Sequence, residues 1–346
     1  MRVRLQWALV PALVLCCVVS CAAQDAATWS FAVGDRATAP KSITIARGGK
    51  ISVDLSSLPK GAKVFRAVLS ASRRDYRPNI RPTDKLVIVP ADKPAELLKL
   101  VPPQYAVLDA TDAVARAIAA GKRVAEFLFK GGRGWLADKT RLAVSFVGGK
   151  ARNEIPKLTG LTVRHREGQT ILTWNEIDPP TKAETITIEE WRAIRKGLAA
   201  KPAVAYRVYR ATRPITAATI ADAELVSSVG QLTCWNRPYY GVHGRYGKYV
   251  KVAIALYVVE HGKPAVAPGT AIATYNPPPV YQNPDAPERA RKEMMQKAYY
   301  AVSVVLNGEE DFSKLATAGP VDEKSGDGPF ILQRTVRPTP FQYVKN

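Results

Sequence analysis

Apolar and polar residues alternate along most of this chain, and a period of two restricts it to sheet structure. The stretches Lys41–Ala46 and Lys50–Leu55 put every second side chain on one face. Phe65–Ser70 and Arg141–Val147 also read as strands. Gly48 and Gly49, Pro59 and Gly61, and Gly131 and Gly132 punctuate them. Short strands with frequent turn signals predict a β-sandwich. One helix interrupts this run over Asp112–Ala120, with Thr111 as its expected cap and Gly121 as its stop. Apolar residues make up 47% of the 346, which excludes a wholly disordered chain. The length fits two folded units.

The first 23 residues read as a sorting signal. Arg2 and Arg4 precede an apolar run from Leu5 to Val19 that only Gln6 breaks. At about 15 residues the run is shorter than the roughly 20 a spanning helix needs. Val18-Val19-Ser20-Cys21 resembles a bacterial lipobox, which implies lipidation of Cys21 and a membrane anchor without a spanning helix. Ordinary signal-peptidase cleavage after Ala22 or Ala23 fits the same small residues. Either route predicts an exported protein, at the cell envelope or outside the cell. Of the four cysteines, Cys16 and Cys17 leave with the leader and Cys234 is left without a partner. No internal disulfide framework is then open to the chain, and core burial must supply the stability. Cys234 itself reads as a small buried apolar residue.

Tyr105–Val114, with its Asp109-x-Thr111 turn, is followed by Gly121, the apolar strand Phe127–Phe129 and the closing strand Leu142–Val147. This order, together with Ala67–Ala71, resembles DNRLRE-type jelly-roll modules over about residues 28–150. The resemblance implies a jelly-roll-like sandwich and an association with polysaccharides or cell surfaces. A polar linker, Gly148–Pro156, comes next. The strand Gly168–Trp174, the run Tyr206–Arg210, and Tyr299–Val305 before Asn307-Gly308 resemble a fibronectin type III domain over residues 156–316. That likeness makes Trp174, Tyr206 and Tyr299 or Tyr300 structural core residues. Two insertions lengthen this unit. One is a helix opened by the capping box Thr187-Ile-Glu-Glu190 and continuing through Trp191. The other holds Pro277–Pro279 and a charged helix over Ala286–Ala298. Residues 317–346 read as a linker-like tail in which Pro329–Arg334 could pair as an edge strand. The order from Tyr299 to Arg334 resembles the N-terminal accessory region of large secreted bacterial hydrolases. The fold class expected is therefore all-β, with two sandwiches in series.

Motifs for chemistry are scarce. No Gly-x-Ser-x-Gly elbow, Walker loop, Gly-x-Gly-x-x-Gly, EF-hand or paired metal-ligand spacing occurs. The three histidines are His165, read as solvated at a strand edge, His243 in a loop where a role is conceivable, and His261 in a turn. No cofactor or metal is expected. Charge is the remaining signal. Losing Arg2 and Arg4 with the leader lowers the net charge from +20 to +18, which favours polyanions. Tyr76, Arg77 and Arg81 form one cationic-aromatic cluster, with Arg73, Arg74 and Lys85 around it. Lys130, Arg133 and Trp135 form a second. Aromatic faces beside forked cations suit carboxylated or sulfated sugars, although solvated loops and a core Trp135 would give the same pattern. Export argues against nucleic acid as the partner. The reading is an exported, non-catalytic binding or adhesion module for an acidic polysaccharide or another cell-surface polymer. The alternative is the accessory half of a secreted α/β-hydrolase, an esterase or peptidase whose catalytic domain lies downstream or in a separate chain.

Overall fold

A computed structural model describes residues 25–33, 42–71, 87–101, 104–131, 135, 137–166, 169–183, 185–186, 188–234, 254–255, 259–260, 263–264, 266–275 and 297–323. The leader with Cys21, the cluster of Tyr76, Arg77 and Arg81, Arg133, His243, His261, Pro277–Pro279 and Pro329–Arg334 lie outside them. The described residues are mostly strand, with two α-helices, so the fold is all-β and sandwich-like.

The first unit holds β1 (Ala26–Ala32), β2 (Ile43–Ile45), β3 (Lys50–Asp54), β4 (Lys63–Ser70), β5 (Val87–Pro90), β6 (Leu100–Val101), β7 (Gln104–Asp109), α1 (Thr111–Ala119), β8 (Val124–Gly131) and β9 (Arg141–Val147). Two sheets face each other. One runs β1-β9-β4-β7-β6 and the other β2-β3-β8-β5. Alternation delivers Trp29 and Phe31, Leu69, Val144 and Phe146 from the first sheet against Ile51, Val53 and Phe127 from the second. Gly49 is required at the β2–β3 turn. Its φ is +82°, and a Cβ there would lie 2.9 Å from the Cβ of Phe129.

Thr111 does not cap α1 as its sequence position implies. It is the first helical residue, and its hydroxyl accepts the Ala67 N–H at 2.9 Å. The carboxylate of Asp109 instead accepts the Thr111 N–H at 2.9 Å. A neighbouring strand offered the hydroxyl a better-placed donor than the helix did. Gly121, at φ +70°, does end the helix.

The second unit holds β10 (Thr162–Arg166), β11 (Gln169–Asn175), β12 (Thr185–Ile186), α2 (Ile188–Ala199), β13 (Val204–Ala211), β14 (Glu224–Gly230), β15 (Ile254–Ala255), β16 (Val259–Glu260), β17 (Lys263–Pro264), β18 (Thr270–Tyr275), β19 (Lys297–Leu306), β20 (Glu310–Asp311) and β21 (Ala316–Asp322). Its sheets run β10-β11-β18 and β14-β13-β19-β21. Leu172, Trp174, Tyr206, Val208, Tyr300 and Val302 fill the space between them. Helix α2 covers the opposite face of the three-stranded sheet, burying Trp191 against Ile171 and Ile272. The charged helix expected through Ala298 is overruled at its end, because Lys297 and Ala298 begin β19. The packed unit also passes residue 316. β21 pairs with β19 as far as Asp322, and Glu323 is buried behind it. Gly319 and Pro320 made this edge strand read as tail.

β20 belongs to the second unit in sequence and to the first in space. After β19, Asn307 and Gly308 (φ +53° and +89°) turn the chain in a two-residue hairpin. The returning strand pairs with β1, Ala27 opposite Asp311 and Thr28 opposite Glu310, and extends the first sheet to six strands. This contact explains why all seven residues of β1 are buried. Ala27, Trp29 and Phe31 face the first core, while Ala26, Thr28 and Ser30 lie beneath the second unit. Tyr209, Ile215, Ile220, Ala301 and Phe312 close the apolar part of the seam around Ala26.

Candidate functional site

Among the proposed ligand residues, Lys130 and Trp135 lie in the described part. Lys130 is exposed at the end of β8. Trp135 is half-buried and stacked on Phe129, with ring centroids 4.5 Å apart and planes inclined by 24°. Its Nε1–H donates to the Thr140 hydroxyl at 3.1 Å. The indole is therefore fixed from one ring face and from its edge. It packs against the first core, the core role the sequence allowed for it, and keeps part of its surface exposed.

The densest polar chemistry lies at the seam, where no motif or spacing announced it. Glu310 is fully buried. Its carboxylate takes Arg207 as an ion pair, the Tyr209 hydroxyl at 2.7 Å and the Thr28 hydroxyl at 2.9 Å. Thr28 has one proton and gives it to Glu310, so Ser145 must be the donor in the 2.8 Å contact between those two hydroxyls. Arg66 closes the group by donating to the Tyr209 oxygen and the Ala223 carbonyl, each at 3.3 Å. Next to it Glu309 accepts Arg152 Nε at 2.9 Å and Asn153 Nδ2 at 2.7 Å. Arg152 also donates to the Ser30 carbonyl at 2.8 Å and lies over the Trp29 ring. The segment expected to be a polar linker is thus bolted to both units, and Ile155 enters the second core.

A third acid, Glu323, repeats the pattern inside the second sandwich. Arg210 and the Tyr300 hydroxyl bind it, and Thr170 stands beside it. His165 reaches Thr170 through Nδ1 at 2.9 Å and is half-buried, which corrects its reading as a solvated residue. The second strand of a hairpin brought a hydroxyl within reach of the ring. Burial, with Glu310 beside Tyr209 and Glu323 beside Tyr300, holds both phenols well above the usual tyrosine range. Burial first, then the nearby Glu176, pushes the Cys234 thiol up to about 12. Cys234 packs beside Trp191, the small apolar role expected of it. These groups neutralise one another and leave no activated nucleophile among them.

In sequence, Arg207 and Arg210 look like the outward positions of a strand, and Glu309 and Glu310 look like solvated turn charges. Docking of one sandwich on the other turns Arg207, Glu309 and Glu310 inward, whereas Arg210 meets Glu323 inside the second sandwich itself. Among the described residues no cluster of His, Cys, Asp and Glu has the makings of a metal site. No helix among them is long and apolar enough to cross a membrane. No protein-family model, curated protein or solved structure matches the chain.

Proposed function

We propose that the protein is an exported, non-catalytic binding module that holds an acidic polysaccharide or a similar cell-surface polymer. The observation that carries this reading is Trp135, an indole braced by Phe129 and Thr140, with the exposed Lys130 following Phe129 in the chain. A pre-fixed ring loses little freedom when a sugar stacks on it, and an exposed ammonium such as that of Lys130 suits a carboxylate or sulfate. The charge of the chain adds long-range attraction for such a polymer. The absorption of the buried acids by arginines favours scaffolding over catalysis. The strand orders of the two units support the jelly-roll-like and fibronectin type III-like assignments.

Binding of acidic and neutral polysaccharides at low salt and at 0.5 M salt tests the reading. A shaped site keeps sugar selectivity when the Debye length falls to about 4 Å. Trp135→Ala and Lys130→Ala should then each weaken binding at least tenfold, with Trp135→Phe recovering most of the loss. Binding that vanishes in salt, or that ignores both substitutions, refutes it. The accessory-region reading draws support from the seam, because the Gly308–Asp311 run within that resemblance joins both units into one block. A hydrolase gene adjacent to this one would favour that alternative.

A further inference from the structure

The first strand leaves the fold at a rim crowded with cations. Ala26 pairs with Val147 at the end of β9, and Val147 pairs with Lys63 at the start of β4. The Gly148 N–H donates to the Asp25 carbonyl at 2.8 Å. Gly149 fits so closely under Pro59 that a Cβ would lie 2.7 Å from its ring, which brings the Pro59–Ala62 turn against the same corner. The Leu55 N–H bonds the Arg123 carbonyl at 2.7 Å and adds the segment after α1. Lys60, Lys63, Lys122, Arg123 and Lys150 all stand exposed on this rim. Acids sit beside them too, among them Asp311, opposite Ala27 on β20. Asp25 lies 3.8 Å from Lys150, and Asp54 accepts the Ser56 N–H at 2.8 Å.

Cys21 precedes Asp25 by four residues, a tether of at most about 14 Å when fully extended. An acyl chain on Cys21 therefore holds this rim close to the lipid headgroups, whereas the opposite end of β9 points away. We infer that the basic rim is a membrane-facing surface that binds anionic phospholipid headgroups and fixes how the protein stands on the bilayer. This rests on the lipid-anchor part of the exported reading. One acyl chain alone holds a protein only marginally, and a polybasic patch is the kind of second signal that stabilises it. Each lysine near an anionic surface adds about fivefold to affinity.

The test uses the C21S chain from residue 21 onward, which keeps every described residue and removes acyl insertion. Co-sedimentation is measured with phosphatidylcholine vesicles and with vesicles containing phosphatidylglycerol. The expected result is selective binding to the anionic vesicles, weakened at least tenfold by Lys60→Glu, Lys63→Glu and Lys150→Glu together. Reversal of Lys139, Lys182 and Lys196, with an unchanged melting temperature, should cost less than threefold. Gln replacements serve if the Glu variant melts early. No preference for anionic vesicles, or equal losses from both sets, overturns the inference. The intact mass of the processed full chain separately reports the lipid. An unmodified Cys21 would sink the anchor while leaving the vesicle result to stand or fall by itself.

Discussion

Glu310 shows how much depends on one side chain at the seam. It is fully buried, and removing it leaves the Arg207 charge in a dry site. Glu310→Ala is expected to cost about 3–5 kcal/mol in chemical denaturation. Glu310→Leu combined with Arg207→Met should recover much of that loss, because two apolar groups owe no desolvation penalty. A second residue-level expectation concerns alkaline pH. Cys234, Tyr206, Tyr209 and Tyr300 all have acid groups raised by burial. Raised values mean that the unfolded chain loses these protons first. Their stabilising effect is complete below about pH 9 and declines as the pH climbs through 9–12. Melting temperature should fall steadily over that window, and Cys234 should resist thiol reagents at pH 8 until denaturant is added.

At the level of elements, the two-residue hairpin carries the largest consequence. Gly308 has a φ of +89°, and a Cβ there would meet the Ser30 hydroxyl at 3.0 Å. Gly308→Ala is expected to destabilise by about 1–3 kcal/mol, read from the shift in denaturation midpoint. Strands such as β3 and β9 could be located from alternation alone because one face of each is core and the other is largely polar or partly exposed, whereas β19, buried on both faces, was marked by its run of tyrosines and valines. The Asn307-Gly308 turn was legible for the same kind of reason, since few other pairs tolerate two positive φ values. β1 was not legible as a strand covered on both faces, because Thr28 and Ser30 are polar and the acids that cover them, Glu310 and Glu309, lie 282 and 279 positions later. β21 was hidden by Gly319 and Pro320, and Thr111 by a competing acceptor role that no local pattern encodes. Of the ligand candidates, Trp135 could be picked out by composition, but its bracing by Phe129 needed the β8 register to become visible.

At the scale of the whole molecule, the seam makes two sandwiches into one structural unit. Calorimetry of the intact protein is expected to give a single transition. Arg152→Ala with Glu310→Ala should split it into two, since each core remains whole while the docking contacts are lost. Two transitions in the unaltered protein would contradict this coupling. The pairing of β20 with β1 also has a consequence in time. Thr28 waits for Glu310, which lies 282 positions later in the chain. At about 5–20 residues per second, the ribosome takes roughly 15–55 s to supply that partner. Throughout that interval the outer edge of β1 is an unpaired strand, able to recruit any other nascent chain. The protein most exposed to misassembly is therefore one whose synthesis is not yet finished, and a chaperone that covers this one edge would guard the whole fold.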